Sequence, residues 1–374
     1  MMKIALVCDW LTGMRGGERC LKAIGEVYPD ADIYTLVYYP KNFNGEFEKH
    51  RVHTSFIQKL PGNARTFRRY LPLFPKAIES FDLSGYDLVL SFSHCVAKGV
   101  KVPPNTPHIC YCHTPMRYAW NMRQSYLAGM NPLKRKAVSL LLERLKKWDR
   151  STADRVSYFI ANSQYVRRRI TDCYGRDLKV IYPPVDIERF SVSPCHDGYY
   201  LVLSAMVPYK RVDLAVQAFN QTDKRLIVAG GGPEYNRLKA MARPNIEFVL
   251  DPDDQTVEQL YGGCKALVFP GEEDFGIVPL EAQACGKPVI AYDKGGALET
   301  VVGLDDSDAA PTGVFFKQQT VADLQAAISR FEGRESAFIP QNCRQNAERF
   351  NRTRYTTEMT AFIQEIMAQS DRFE

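Results

Sequence analysis

Glu273 and Glu281, eight positions apart in the stretch 266–292 (ALVFPGEEDFGIVPLEAQACGKPVIAY), carry the densest chemistry in this chain. A strand reads up to Pro270, an irregular Gly-Glu-Glu-Asp-Phe-Gly turn follows, and a short helix opens with Pro279 at its first position and Gly286 as its stop. The amides around Gly276, Ile277 and Val278 then precede the helix without intrahelical partners, a ready site for phosphate. Glu281 in the first turn and Glu273 in the loop ahead can each accept hydrogen bonds from a vicinal diol. Together they could clamp two sugars flanking a diphosphate. The plainer alternative has Glu281 complementing the helix dipole and 272–274 forming a solvated acidic turn.

Further candidates lie elsewhere. Lys210 and Arg211 sit in Val-Pro-Tyr-Lys-Arg-Val-Asp, and Gly230-Gly231-Gly232-Pro233 follows a strand, where it could admit a close backbone approach. After the first strand comes Trp10-Leu-Thr-Gly-Met-Arg15-Gly16-Gly17-Glu18. This is not G-x-G-x-x-G, which argues against a nicotinamide oxidoreductase. His113 ends a strand and leads into Thr-Pro-Met-Arg117-Tyr118-Ala-Trp120, whose aromatic faces suit sugar rings. A lone histidine there is more often structural. Cys110-Tyr-Cys112 lacks zinc-ligand spacing. The acidic pairs at 253–254 and 305–306 read as loops, so no metal site is expected.

The elements that must position these groups alternate throughout. Strands are expected at 3–9, 32–38, 87–92, 108–113, 158–163 and 179–182, with helices near 17–27, 64–80, 133–149 and 164–173. A proline-rich break at 183–198 gives way to a second series of strands at 199–206, 225–229, 246–250, 266–269, 288–292 and 313–316. This is α/β architecture in two domains, as 374 residues allow. Residues 1–184 form the first, 185–198 the linker and 199–350 the second. The segment 351–374, with an apolar stripe at Tyr355, Met359, Phe362, Ile363, Ile366 and Met367, is expected to be a helix packing across the junction. Two such units imply a cleft with ligands beyond the carboxyl ends of the strands.

Bulk properties exclude more than they assert. A net charge of +5 suits anionic ligands or an anionic membrane surface, and without a recognition motif it does not suit nucleic acid. Ten cysteines lie largely in apolar runs with no export segment ahead of them, pointing to reduced thiols in the cytoplasm. Basic residues interleave with aromatic and aliphatic ones at 65–76 and 133–150. Either stretch is a solvated helix face or a point of peripheral attachment to anionic lipid.

Glu273-DFGIVPL-Glu281 followed by AQACGKPVIA resembles the E-x7-E motif of glycosyltransferase family 4. Gly16-Gly17-Glu18, Ala161-Asn162-Ser163, Ile181-Tyr-Pro-Pro-Val-Asp186, Val207-Pro-Tyr-Lys-Arg-Val-Asp213, Gly230-Gly-Gly-Pro233 and Gly295-Gly-Ala-Leu-Glu299 also match that family, in its order. The wording is most similar to the bacterial mannosyltransferase branch that builds O-antigen or exopolysaccharide chains.

The resemblance implies the GT-B fold, two Rossmann-like domains facing across a cleft, and a retaining hexosyltransferase. Glu273 would contact the transferred sugar, Glu281 the ribose, and the amides of Phe275, Gly276, Ile277 and Val278 the sugar and phosphate. Lys210, aided by Arg211, would neutralise the departing diphosphate without a metal or other cofactor. Gly16, Gly17 and Gly232 would let backbone approach the donor, and His113 would line the site near the moving sugar. Arg15, Arg117, Tyr118 and Trp120 would meet the acceptor. Where family members carry an arginine partner for the lysine, this chain has Ala205. GDP-mannose is the expected donor, with a UDP-hexose as the alternative. The expected acceptor is a glycan or a polyprenyl-diphosphate-linked sugar at the inner face of the cytoplasmic membrane. A non-catalytic GT-B protein that binds glycan or lipid would lack the glutamates and Lys210.

Overall fold

The computed structural model describes residues 2–62, 64–127, 129–306 and 310–370. The chain divides into two compact units. The first comprises Met1–Pro184 with Tyr355–Glu374, and the second Val185–Arg354.

The first unit is built on seven strands: β1 (Ile4–Cys8), β2 (Asp32–Thr35), β3 (Val52–Thr54), β4 (Leu88–Ser93), β5 (His108–Cys112), β6 (Tyr158–Ala161) and β7 (Lys179–Val180). Their order is β3-β2-β1-β4-β5-β6-β7, and every pairing is parallel. Sequences such as Ile-Ala-Leu-Val-Cys form these strands because both sheet faces are covered, so no side of the strand needs to be polar. The order reverses between β1 and β4, where Cys8 stands opposite Phe92. The residues that follow, Asp9 and His94, therefore emerge side by side at a topological switch point.

Short elements depart most from the sequence expectation. β3 was not foreseen, since its three residues contain no apolar run. The helix expected over 64–80 is a 3-10 segment, Phe67–Leu73, followed by a short α-helix, Phe74–Ile78. Pro72 and Pro75 remove two amide donors from that stretch and prevent one continuous α-ladder. The helix Pro132–Ser151 starts behind Asn131, whose side chain accepts a bond from the Lys134 amide at 2.9 Å.

The last helix, Arg352–Ser370, contributes its first three residues to the second unit and the rest to the first. Tyr355, Met359, Phe362, Ile363 and Ile366 are buried in one cluster with Ile4, Leu6, Leu90, Ile109 and Ile160. The final four residues of the segment expected as this helix lie outside the described residues.

The second unit has six parallel strands: β8 (Tyr199–Leu203), β9 (Arg225–Gly230), β10 (Ile246–Leu250), β11 (Cys264–Phe269), β12 (Val289–Tyr292) and β13 (Gly313–Phe316). They run in the order β10-β9-β8-β11-β12-β13. Its switch point lies between β8 and β11, paired through Leu201 and Leu267. The loop leaving β8 carries Lys210 and the loop leaving β11 carries Glu273, so residues 63 positions apart are brought to the same sheet end.

Candidate functional site

In the second unit, Lys210 closes the 3-10 turn Pro208–Lys210, and its ammonium forms an ion pair with the Glu273 carboxylate. Both side chains are partly open, 16% and 19% exposed, so a ligand can reach either partner. The Glu273 loop is fixed through its backbone. Its carbonyl accepts the Gly296 amide at 2.8 Å, and Gly295, at φ +76°, lies so close that a side chain there would meet that same carbonyl. This is the physical role of the Gly295-Gly296 pair.

The helix after the loop spans Ile277–Ala284, with Gly276 in the left-handed region at φ +97° as its N-cap. It begins two residues earlier than expected, so Pro279 is its third position and Glu281 its fifth. Pro279 still fits, because none of the first four amides has an intrahelical partner. Ile277 and Val278 present those amides at the helix start. Gly286 stops the helix at φ +77°, as its position implied.

Glu281 is buried, 6% exposed, and accepts a hydrogen bond from the Tyr261 hydroxyl at 2.9 Å. Burial and then the Glu281 carboxylate push the Tyr261 phenol well above its ordinary pKa, so it donates throughout the physiological range. Tyr261 lies 20 residues away on the helix Asp254–Gly263, and nothing local in the sequence marks it.

Arg211 stands in the left-handed region at φ +54°. Its guanidinium reaches Asp213 at 3.2 Å and Gln319 at 3.2 Å, so it is committed to those partners. Ala205 is exposed and brings no cation of its own. Gly232, at φ +152°, packs against the backbone of Met206, where a side chain would clash. The Met206 amide also bonds the Gly231 carbonyl at 2.8 Å. This close packing accounts structurally for the glycine run.

In the first unit, Gly16 opens the helix Gly16–Val27 behind Arg15. A Cβ on Gly17 would lie 3.3 Å from Nε2 of His113, so the glycine makes room for that ring. His113 directly follows β5, and its amide bonds the Ser93 carbonyl at 2.8 Å. Gly17 and His113 line one cavity with Asp9, Trp10, Glu18 and His94.

Asp9 and His94 escaped the sequence reading. The Asp9 carboxylate is buried and accepts the amides of His94, Cys95, Val96 and Ala97 at 2.5 to 3.0 Å, with His94 Nδ1 at 3.0 Å. Burial alone would raise its pKa, but the His94 charge and these donors hold it below the usual carboxylate value. Burial likewise works against protonated His94, yet the Asp9 carboxylate outweighs it and raises that pKa. Burial raises Glu18, opposed by His94 and Arg15.

The remaining acceptor candidates separate from this cavity's lining. The Tyr118 hydroxyl lies 2.6 Å from Cys95 Sγ. Trp120 donates its indole N–H to Asp149 at 2.8 Å, within a buried network in which Lys98 pairs with Asp149 at 3.1 Å. Lys146 stands 4.5 Å from the Trp120 ring centroid. Arg117, directly before Tyr118 in the chain, is half-buried. All ten cysteines are free thiols, nine of them buried.

Residues 14–189 match the model of Glycosyltransferase Family 4, and residues 186–350 that of Glycosyl transferases group 1. The chain carries both domains of a family 4 glycosyltransferase. Its likeness to Anabaena HepE, solved in complex with UDP and glucose, has a TM-score of 0.73 at 21% identity, covering 97% of this chain and all of that one. The fold is thus GT-B, with two Rossmann-like parallel-sheet domains.

Among curated relatives, an Alpha-1,3/1,6-mannosyltransferase ALG2 from Kluyveromyces lactis is 25% identical over 332 residues, 72% of this chain and 64% of its own length. The GDP-mannose-dependent alpha-(1-6)-phosphatidylinositol monomannoside mannosyltransferase of Mycolicibacterium smegmatis is 30% identical over 172 residues, 37% of this chain and 45% of that protein. This family 4 chain therefore spans less than two thirds of either relative. The ALG2 likeness is eukaryotic and replaces the bacterial O-antigen branch to which the motif wording had pointed.

Proposed function

We propose that this chain is a retaining transferase that moves mannose from GDP-mannose onto a lipid-linked or oligosaccharide acceptor. The observation that carries this reading is the Lys210–Glu273 ion pair next to the open amides at the start of Ile277–Ala284. A donor diphosphate brings negative charge to the lysine and to those amides, which releases Glu273 to accept hydroxyls of the transferred sugar. Glu281, oriented by Tyr261, is placed one helical turn further on to accept the ribose diol.

In the reaction, the bond from the anomeric carbon to the phosphate oxygen breaks as the acceptor oxygen bonds on the same face. The acceptor proton passes to the departing phosphate. Lys210 and the helix amides stabilise the charge that develops there, and this assignment makes the reaction independent of added metal. In the first unit, Arg15 is assigned the acceptor, Gly16 and Gly17 the approach to the donor, and His113 the wall near the moving sugar.

Mannose is favoured because both relatives are named mannosyltransferases, and the mycobacterial name specifies GDP-mannose and a lipid acceptor. Peripheral membrane attachment accords with the helix Pro132–Ser151, where Leu133 and Leu140 are 82% and 56% exposed beside exposed Lys134, Arg135 and Lys136. Among the described residues no helix is long and apolar enough to cross a membrane.

The test is hydrolysis without acceptor of GDP-mannose, UDP-glucose, UDP-GlcNAc and UDP-galactose, each with and without a chelator. GDP-mannose turnover unaffected by chelation is expected. A faster UDP-hexose would overturn the donor assignment, and no turnover of any donor would overturn the transferase reading.

A further inference from the structure

The helix Ile277–Ala284 buries a glutamine between two alanines. Gln283 is fully enclosed, and its side chain has three partners. Its amide donates to the Pro279 carbonyl at 3.1 Å and to the Thr300 carbonyl at 2.9 Å, and its oxygen accepts from the Asn346 amide at 2.7 Å. Asn346, buried on the helix Pro340–Glu348, donates a second time to the Thr300 carbonyl at 2.9 Å. The Gln283 amide cannot be turned over, because its oxygen would then face two carbonyls.

A methionine would fill this place with no polar group to satisfy, so burial alone does not call for the amide. What the amide adds is direction. Pro279 lies in the first turn of the helix, next to Ile277 and Val278. Thr300 ends the short helix Ala297–Thr300, and its hydroxyl donates to the Gly296 carbonyl at 3.2 Å. The Gly296 amide in turn holds the Glu273 carbonyl at 2.8 Å. One buried amide therefore ties the start of the helix to the segment that holds the Glu273 loop. Asn346 fixes that amide from behind. Arg344, on the same helix as Asn346, bonds the Ala284 carbonyl at 3.2 Å and so secures the opposite end of Ile277–Ala284.

We infer that Gln283, held by Asn346, is a positioning residue for the transfer step. Resting on the transferase reading, it keeps the helix-start amides, which meet the leaving phosphate, in register with Glu273, which meets the sugar being moved. The bond that breaks lies between those two groups, so their relative placement governs the rate more than the binding of either half. Gln283 is enclosed and acts only through Pro279 and Thr300.

The test uses the full chain and measures acceptor-free hydrolysis of GDP-mannose, GDP binding by calorimetry and urea denaturation for each variant. Gln283→Met keeps the volume and removes the amide. It should lower kcat about 10- to 100-fold, the scale of a small misplacement, while GDP affinity changes by less than about threefold. Asn346→Leu should lower kcat about threefold, and adding it to Gln283→Met should cost nothing more, because both act through one chain of bonds. Gln325→Met removes an amide bonded to the Ala218 carbonyl at 3.0 Å in the same unit and should leave kcat unchanged.

A glutamine that only supports the fold would lower the urea midpoint of Gln283→Met and leave kcat intact, and that result would overturn the assignment. A fall in GDP affinity as large as the fall in kcat would overturn it as well, placing Gln283 in binding. If Gln283→Met does not fold, Thr300→Val decides, since it removes only the hydroxyl bonded to Gly296. It should lower kcat about threefold with GDP affinity unchanged, and full kcat there would sink the proposal. Wild-type protein that neither binds GDP nor hydrolyses GDP-mannose would instead overturn the transferase reading.

Discussion

Two carboxylates stand at the carboxyl ends of sheet strands in this chain, and they are treated in opposite ways. Asp9, after β1, is fully buried and saturated by four backbone amides and one imidazole. Glu273, in the loop leaving β11, is partly exposed and pairs with the end of a flexible lysine. The first arrangement cannot exchange partners without leaving a buried charge, which makes it a staple between β1 and the β4 loop. The second can open at little cost, because water or a ligand can replace either ion. The same residue chemistry thus serves structure in one unit and ligand exchange in the other, and burial decides which.

The contrast can be broken from either side. Lys210→Ala or Glu273→Gln should lower kcat/KM for donor turnover by about 100- to 1000-fold, the scale for losing one preorganised electrostatic group. Chemical denaturation should show stability changed by less than about 1 kcal/mol, as befits a partly exposed pair. Full activity in Glu273→Gln with intact donor affinity would remove its proposed role.

Asp9→Asn should do the reverse, lowering stability by about 2 kcal/mol or more, chiefly because a neutral amide cannot accept from all four backbone N–H groups; His94, with 36% of its side chain exposed, contributes less. Its pH dependence follows from the two shifts. Asp9 is depressed, so its contribution is present above its ordinary value of 3.8 and is lost as pH falls through the lower folded value. His94 is raised, so its contribution is present below 6.5 and is lost as pH rises through the higher folded value. The difference between wild type and Asp9→Asn in urea melts should therefore be widest between those values and narrow on both sides.

Glu281 sharpens the comparison, being buried like Asp9 yet assigned to a ligand. Tyr261→Phe should cost about 1 kcal/mol of stability and raise the KM for the donor a few fold with kcat nearly unchanged. A loss confined to kcat would move Glu281 from ribose binding to the chemical step.

Much of this was legible along the chain. Continuous apolar strands such as 4–8 and 88–93 announced a sheet covered on both faces, and Gly286 announced the end of its helix. β3 was not legible because an edge strand of three residues carries too little pattern. The start of Ile277–Ala284 was displaced because Pro279 fits its third position as well as its first, since neither amide has an intrahelical acceptor. Arg211 could not be aimed from sequence, because its direction depends on Asp213 and on Gln319, 108 residues away.

The sequence by itself determined the alternation of strands and helices, the acidic loop before a short helix, and the residue types able to meet a diphosphate and a sugar. Those follow from local periodicity and from side-chain chemistry. Only the tertiary structure decided which charges face one another. It set Lys210 against Glu273, sealed Asp9 under four amides from the segment after β4, gave Glu281 its tyrosine and laid Arg68 on Trp10. Each of these depends on strands neighbouring in space but not in sequence, and on how much water remains around the charges brought together.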